Sequence, residues 1–151
     1  MEERLTTGPV YNASRYLTVC LDSIRLQSFE SFEVLLVDDG SSDGSGEICE
    51  NYCAEAHRFI VVHQTNKGSS DARNRGLESS KRQHIAFVDA DDRIDDIPFQ
   101  VLPESIKEKE ADLLISAFYY GDVYYQANKP SSLSPKTIIK EDLSGPLYAC
   151  V

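Results

Sequence analysis

The chain has 151 residues, of which 41% are hydrophobic, and its formal net charge is −10. This length and composition predict one ordinary folded domain and exclude a chain that is disordered throughout. The negative charge argues against DNA or RNA as a partner, because a polyanion would be repelled by the field of the protein.

No segment of the sequence is typical of secretion or of a membrane span. The N-terminus MEERLTTGPVYN lacks an apolar signal core, and the apolar runs VLLV, FIVV and LLISAF are far too short to cross a bilayer. The four cysteines are therefore expected to be reduced thiols in a cytoplasmic protein.

The predicted elements alternate between helices and short apolar strands. In chain order we predict a helix over 15–29 with Ser14 as its N-cap, a strand over 32–37, a helix over 46–56, a strand over 58–64, a helix over 71–81, a strand over 84–92, a helix-like segment broken by prolines over 97–111 and a strand over 111–121. This order, with strands that are apolar throughout, predicts an α/β fold with a mainly parallel sheet covered by helices on both faces.

Polar clusters follow three of the predicted strands. They read DDGSSD, NKGSSDARN and DADD, and each begins where an apolar run ends. Ligands of open α/β sheets bind at the carboxyl ends of the strands, so these clusters predict one site at that edge. The alternative is a solvated carboxylate-rich surface, which is common in acidic proteins.

The segment DAD offers two carboxylates, Asp89 and Asp91, for a divalent cation. Alternate residues of an extended strand point the same way, so both could serve one ligand while Asp92 points elsewhere. Mg²⁺ and Mn²⁺ take one or two protein carboxylates and complete their shell with water and phosphate oxygens. Such a cation can neutralise a diphosphate leaving group.

Two further clusters suggest a nucleotide. A carboxylate of Asp38 or Asp39 in VDDG can accept the N3–H of uracil, and its alternative role is an N-cap or Asx-turn before the next helix. In NKGSSDARN, Gly68 permits an unusual backbone conformation and Arg73 could pair with phosphate. The alternative for Arg73 is an exposed ion pair with Asp71 or Glu78.

The sequence offers two other candidate metal sites. Residues 39–50 formally fit a calcium-binding EF-hand loop, but a strand precedes them and Gly46 stands where an apolar residue closes such a loop. Cys49, Cys53 and His57 could share a helical face, yet a structural zinc site needs four ligands. Burial of both cysteines as small hydrophobes is the preferred interpretation.

The ordered motifs PVYNASRYLTVCLDSIRLQSFESFEVLLVDDGSSDGS and HQTNKGSSDARNRGLESSKRQHIAFVDADD resemble the inverting family 2 glycosyltransferases over about residues 9–120. The resemblance implies a GT-A nucleotide-diphospho-sugar transferase fold. It implies that residues 1–125 form the nucleotide-sugar-binding domain. Residues 126–151 would be the loop-rich start of an acceptor half that the chain does not complete.

The resemblance also implies roles for individual residues. Pro9 and Tyr11 would line the base pocket, and Asp39 would contact uracil. Arg73 would approach the base or the pyrophosphate, and Asp91 would bind Mn²⁺ or Mg²⁺. The full set implied for the nucleotide sugar is Pro9, Tyr11, Asp38, Asp39, Gly68, Arg73 and Asp89, with Asp89 on the ribose.

The activity implied is transfer of a sugar from a UDP-sugar or similar donor to an acceptor hydroxyl, with inversion and with the help of the metal. The acceptor would be a glycan, a lipid-linked sugar or a similar molecule, as in cell-surface polysaccharide biosynthesis, and the protein would sit in the cytoplasm or at the inner face of the membrane. No catalytic base is assigned, and Glu141 and Asp142 are not given that role.

Two alternatives to an active transferase remain. One is a non-catalytic module that binds only a nucleotide or a partner. The other is a phospho-receiver domain, which also binds Mg²⁺ through clustered carboxylates but needs its acidic pair after the first strand.

The segment ERLTTG is a poor candidate for the central first strand of the family, because Arg4 and Gly8 are unfavourable in strands.

Overall fold

The computed structural model describes residues 3–79, 85–94, 113–116, 118–120, 123–125 and 138–141. The helices in these ranges are α1 (Ser14–Arg25), α2 (Ser45–Glu55) and α3 (Ser69–Ser79). The strands are β1 (Glu3–Thr7), β2 (Phe32–Asp38), β3 (Phe59–His63), β4 (Ile85–Val88), β5 (Leu113–Ser116), β6 (Phe118–Tyr120), β7 (Val123–Tyr125) and β8 (Ile138–Glu141).

The main sheet has four parallel strands in the order β3-β2-β1-β4. The weak segment near the N-terminus does form a strand, and it occupies a central place. It pairs with β2 from Glu3 opposite Phe32 to Thr6 opposite Leu35, and with β4 up to Thr7 opposite Val88. The doubt about this strand was wrong, because pairing on both sides outweighs its poor intrinsic propensity.

Strand β2 separates two packed layers and shows why its sequence is apolar throughout. Val34 and Leu36 pack with α1 and α2 in the larger core cluster, whereas Leu35 and Val37 pack against Ala72 of α3 on the other face. Helices thus cover both faces of the sheet, as the alternating pattern predicted.

Five apolar residues of α1 stand at helical spacing, and four of them, Leu17, Cys20, Leu21 and Ile24, are fully buried. The fifth, Tyr16, is 48% exposed, so its place on the predicted buried face was wrong. The beginning of α1 was predicted one residue late. The N-cap is Ala13, and Ser14 is the first helical residue. Ser14 N–H is instead satisfied by the carboxylate of Asp43, at 2.9 Å. A capping group supplied from a distant loop cannot be read from the local sequence.

Other boundaries also differ from the predictions. Helix α1 ends at Arg25 rather than at residue 29, and α3 begins at Ser69, two residues early. The main correction concerns β4, which ends at Val88, so DADD is not part of the strand. Asp92 N–H donates to the Asp89 carbonyl at 3.0 Å, which makes this segment a turn.

The later strands form two small pairs. Strands β5 and β8 are parallel, and β6 and β7 are antiparallel. Strand β8 lies inside the segment 126–151 that was predicted to be loop-rich, while the domain division at residue 125 stays a prediction. The helix-like segment 97–111 lies outside the described residues.

In the described part of the chain no helix is both long and apolar enough to cross a membrane. The described cysteines, Cys20, Cys49 and Cys53, are free thiols. Cys49 is fully buried in the core, in agreement with its interpretation as a small hydrophobe, whereas Cys53 is only half-buried.

Candidate functional site

The carboxyl ends of all four strands of the main sheet meet through backbone hydrogen bonds. Gly8 N–H, just after β1, donates to the carbonyl of Val88 at the end of β4. Asp39 N–H donates to the Val10 carbonyl, and Gln64 N–H donates to the Asp38 carbonyl, both at 2.9 Å. The three polar clusters predicted to converge therefore lie at one edge, together with the segment after β1.

The side chain of Asp39 accepts three hydrogen bonds at this edge, and the residue is only 1% exposed. Its Oδ1 accepts from Gln64 Nε2 at 2.8 Å and from Lys67 N–H at 2.9 Å. Its Oδ2 accepts from Gly68 N–H at 2.8 Å. Burial alone would raise the pKa of Asp39, but these hydrogen bonds outweigh it and hold the pKa below its ordinary value.

Asp38 is also buried, and it points to different partners. Its Oδ1 accepts from Ser41 N–H at 3.1 Å, and its Oδ2 lies 2.9 Å from His63 Nδ1. Helix α2 has Gly44 as its N-cap, so neither Asp38 nor Asp39 caps it, and the capping alternative is wrong. Asp38 does not form an Asx-turn either, because its carboxylate accepts from the N–H three residues on, at Ser41, rather than two residues on.

The segments after β1 and β2 are fastened to each other at their polar side chains. Ser42 N–H donates to Asn12 Oδ1 at 2.9 Å, and Asn12 N–H donates to Ser41 Oγ at 3.1 Å. Asn12 has φ of 47°, a left-handed conformation that asparagine tolerates better than most residues. Next to it, the side chain of Tyr11 is 50% exposed, and Pro9 is half-buried. An aromatic ring is thus presented to solvent from a fixed backbone.

Asp43 joins the beginnings of α1 and α2. Its Oδ1 accepts from Ser45 Oγ at 2.6 Å and from Ser45 N–H at 3.0 Å, while its Oδ2 accepts from Ser14 N–H. The Ser45 hydroxyl, followed by the Ser14 contacts, holds the pKa of Asp43 well below its usual range. Ser45 Oγ in turn accepts from Ala13 N–H at 2.9 Å, which closes the connection.

Helix α3 connects the end of β2 with the end of β4. Gly68, which precedes the helix, has φ of 94° and directs its N–H to Asp39. One turn into the helix, Arg73 Nη2 donates to Asp89 Oδ1 at 2.9 Å. The structure therefore pairs Arg73 with Asp89 and not with the helix neighbours proposed as its alternative partners.

Gly8 makes room for Asp89. A Cβ on Gly8 would overlap Asp89 Oδ1 and would lie 3.0 Å from Asp89 Cα. This glycine is thus required by a close approach, and its position beside the carboxylate explains a residue that looked unfavourable in a strand.

The carboxylates of the DADD turn crowd one another. Asp91 is exposed and Asp92 is half-buried. Burial, followed by the charges of Asp89 and Asp91, raises the pKa of Asp92 to about 6. Beneath the turn, burial and then the charges of Asp92, Asp91 and Asp89 raise the pKa of the Cys20 thiol to about 12. The turn is therefore electrostatically unfavourable on its own.

The chemistry of this turn fits Mg²⁺ or Mn²⁺. Carboxylate oxygens are the ligands these cations prefer, and a cation would relieve the repulsion that acts on Asp92. Within the described ranges no group of three or more His, Cys, Asp or Glu side chains forms a metal cage. A partial shell completed by water and ligand phosphate is the usual arrangement for Mg²⁺. The expected alternation of Asp89 and Asp91 along a strand was wrong, because the strand ends at Val88.

A family model described as "Glycosyl transferase family 2" matches residues 9–147. The chain belongs to this family. Among its relatives are glycosyltransferase GlyG of Streptococcus pneumoniae serotype 4, 39% identical over 115 residues, and the uncharacterized glycosyltransferase EpsJ of Bacillus subtilis, 39% identical over 111 residues. The matches cover 76% and 74% of this chain but only 38% of GlyG and 32% of EpsJ.

The architecture is also similar to that of a solved structure. The crystal structure of S. aureus TarS 1–349 in complex with UDP-GlcNAc superposes with a TM-score of 0.72 and 31% identity, over 79% of this chain and 35% of that one. The GT-A fold expected from the ordered motifs is thereby confirmed.

Four residues of the site in this chain were not predicted from the sequence. They are Gly8, Asn12, His63 and Gln64. His63 and Gln64 stand at the carboxyl end of β3, so the rule that selected the other strand ends could have selected them as well. Gly8 and Asn12 carried no comparable signal, because their roles depend on Asp89 and Ser42, which lie far away in the chain.

Proposed function

We propose that the described part of this chain holds the nucleotide-sugar donor of a glycosyl transfer reaction, and that the donor is a UDP-sugar. The observation that carries this proposal is Asp39, a buried carboxylate kept ionised by Gln64 and two backbone N–H groups. It lies at the carboxyl edge of a parallel sheet, where ligands of such folds bind.

Uracil would be selected by the ionised carboxylate of Asp39, which can accept a hydrogen bond but has no proton to donate. An ionised carboxylate has about four lone-pair positions, and the described contacts of Asp39 use two on Oδ1 and one on Oδ2. The remaining position on Oδ2 can accept the N3–H of uracil. Cytosine has a lone pair rather than a proton at N3, so it would place a second acceptor against the carboxylate. Tyr11 and Pro9 would contact the base from the segment after β1.

The ribose and diphosphate would lie toward the end of β4. Asp89, oriented by Arg73, would accept from a ribose hydroxyl, and Asp91 would ligate Mn²⁺ or Mg²⁺. When bound, the cation would neutralise charge on the diphosphate. UDP-GlcNAc in the TarS complex supports a uridine nucleotide, and the carboxylates of this turn supply oxygen ligands of the appropriate kind.

The rest of the reaction is proposed from the family. The sugar would pass with inversion to a hydroxyl of a glycan or lipid-linked acceptor, in polysaccharide synthesis at the cytoplasmic side of the membrane. Reduced thiols at Cys20, Cys49 and Cys53 are compatible with that location. No described residue is proposed as the catalytic base.

Calorimetry with UDP-GlcNAc tests donor binding, with and without Mn²⁺. Wild type is expected to bind more tightly with Mn²⁺, and Asp91→Ala to lose that dependence while keeping a weaker metal-free affinity. A matched control is Asp22→Ala, which removes a carboxylate from α1 far from the strand ends. Equal heats for wild type and Asp91→Ala would remove Asp91 from the metal site, and no binding by wild type would overturn the proposal.

A transfer assay separates the active enzyme from a non-catalytic module. Release of UDP from UDP-GlcNAc, with or without an added acceptor, would demonstrate turnover by this chain. Binding without any release would favour the binding module instead.

A further inference from the structure

His63 lies at the end of β3 with a carboxylate oxygen against each of its two ring nitrogens. Nδ1 is 2.9 Å from Asp38 Oδ2, and Nε2 is 2.8 Å from Glu50 Oε1. Asp38 comes from β2, directly beside His63 in the sheet register, and Glu50 comes from α2. The ring therefore connects the last residue of a core strand to a helix on the sheet face.

This geometry specifies the protonation of the ring. A neutral imidazole has one N–H and one lone pair, so one of the two short contacts would place that lone pair against a carboxylate oxygen. Only the imidazolium form donates from both nitrogens. Both contacts are thus satisfied together when His63 carries a positive charge.

The two carboxylates that contact the His63 ring differ in their exposure to solvent. The side chain of Asp38 is 7% exposed, whereas that of Glu50 is 59% exposed. A buried carboxylate that loses its donor is costly, while an exposed one is solvated by water. On deprotonation the ring is therefore expected to keep its Nδ1–H on Asp38 and to release Glu50.

The bridge lies next to the donor site. Asp38 precedes Asp39, and its other oxygen accepts from Ser41 N–H, in the segment that is fastened to Asn12. On the other strand, Gln64 follows His63 and donates to Asp39. The start of α2 is also joined to the segment after β1, because Ser45 Oγ accepts from Ala13 N–H.

We propose that His63 is a positioning residue for the nucleotide sugar: its doubly protonated ring ties Asp38 to Glu50 and thereby fixes the segments that carry Tyr11 and Asp39. Loss of the Nε2 proton releases α2 and weakens donor binding. The proposal rests on the function proposed above, and it adds a pH-dependent control of the same site.

The charges around His63 act in the direction that this role requires. The hydrogen bond to Asp38, followed by that to Glu50, raises the pKa of His63, and burial opposes this only in part. Cys49 lies on α2 near the carboxylates of Asp38 and Glu50. Its thiol stays neutral because burial raises its pKa to about 12. Gly46 leaves space for the bridge, since a Cβ there would be 3.1 Å from Asp38 Oδ2 and 3.5 Å from His63 Cε1.

The sign of the effect follows from the raised pKa. The stabilisation from the bridge is fully present below the unfolded pKa of histidine, about 6.5. It is lost as the pH rises through the higher folded pKa. Donor binding that depends on the bridge is expected to weaken over the same pH range.

The first experiment measures the protonation of the ring directly. In nitrogen-15 NMR spectra of the whole chain, both ring nitrogens of His63 are expected to carry protons at about pH 6.5, and the midpoint should lie above that of an ordinary histidine. Glu50→Gln is expected to lower the midpoint. A neutral single tautomer at that pH in wild type would overturn the proposal.

The second experiment follows UDP-GlcNAc binding with Mg²⁺ by calorimetry from about pH 6 to 9. The wild-type affinity is expected to fall about fivefold or more, a typical size for coupling between sites. His63→Asn keeps a neutral donor for Asp38 and is expected to bind with a nearly flat profile. Glu50→Gln should shift the wild-type midpoint downward. His57→Asn is the matched control, because it removes an exposed histidine from the opposite end of β3 and should leave the profile unchanged.

The outcomes separate the two proposals. Equal pH dependence in wild type and His63→Asn would overturn the role of His63 and leave the donor site intact. Absence of binding at every pH would overturn the proposed function and, with it, the role of His63 in binding. The NMR titration would then still decide whether the bridge is charged.

Discussion

Adjacent aspartates follow both β2 and β4, but their burial and hydrogen bonding differ. Asp39 at the end of β2 is 1% exposed and receives three hydrogen bonds from the segment before α3. At the end of β4, Asp91 is exposed, and the pKa of Asp92 is raised by burial and by its neighbouring carboxylates. At the β2 end the charge of Asp39 is stabilised by three donors, whereas at the β4 end only Asp89 has a cationic partner, Arg73, and Asp92 is crowded by its neighbouring carboxylates.

Under the proposed function, the β2 end would recognise the base of the donor and the β4 end would bind the cation with the diphosphate. A carboxylate fixed by backbone N–H groups keeps its position and its charge, which is what selective recognition of a base requires. In a cluster of mutually repelling carboxylates, the repulsion is relieved when a cation binds together with its diphosphate. Substitutions at the two ends should therefore affect stability and ligand response differently.

The largest effect is expected for Asp39→Asn. The amide would place N–H groups against the backbone donors of Lys67 or Gly68, leaving at least one buried donor without an acceptor. We expect the free energy of unfolding in urea to fall by about 2–3 kcal/mol near neutral pH. Asp91→Asn is the control, and a similar loss there would erase the contrast between the two strand ends.

Acid adds a second test of the same substitution. Because the folded pKa of Asp39 is depressed, its stabilising contribution is present above its unfolded value of 3.8 and is lost as the pH falls through the lower folded value. The gap in unfolding free energy between wild type and Asp39→Asn should therefore narrow in acid. A gap that stays constant would show that the charge of Asp39 is not what stabilises the site.

Gly8→Ala should have the next largest effect, and it acts on the β4 end. The added Cβ would overlap Asp89 Oδ1, so the Asp89 side chain must move away from Arg73. We expect a loss of about 1–2 kcal/mol in urea unfolding, as for moderate overpacking. Donor affinity should fall with it. Unchanged stability and affinity would mean that the Asp89 position is not important.

Much of the fold could be predicted because its signals are local. The run FEVLLV is apolar throughout, and this identified β2 as a strand buried on both faces. The rule that ligands bind at strand ends also predicted that Asp39, Arg73 and Asp89 lie at one edge. Their pairwise contacts could not be predicted, since a motif does not specify which donor meets which acceptor.

The errors arose where distant residues decide local structure. Ser14 looked like an N-cap, but Asp43, 29 positions away, satisfies its N–H. The segment before Gly8 looked too polar for a strand, but pairing with both β2 and β4 defines it as β1. The aspartates after Val88 looked like a continuing strand, but a backbone hydrogen bond between Asp92 and Asp89 bends them into a turn.

A smaller effect of opposite sign is expected for Asp91→Asn. Removing one of three crowded carboxylates relieves repulsion, so the metal-free protein should become more stable by about 0.5 kcal/mol, the scale of exposed charge pairs. Mn²⁺ should raise the midpoint of thermal unfolding in wild type in the presence of UDP, because it binds the folded state. It should have little effect on the variant. Destabilisation of the metal-free variant would show that Asp91 is part of the fixed framework rather than of the cation site.

The smallest change in stability is expected for Arg73→Lys. The Arg73 and Asp89 side chains are 38% and 44% exposed, so their ion pair contributes only a few tenths of a kcal/mol. Lysine keeps the charge but loses the planar fork that can hold Asp89 while facing a ligand. We therefore expect unfolding to be nearly unchanged and UDP-GlcNAc affinity to fall severalfold, with similar salt dependence in the two proteins because the charge is the same. Equal affinity in both proteins would show that Arg73 supplies only charge, and that orientation of Asp89 depends on Gly8 and the turn alone.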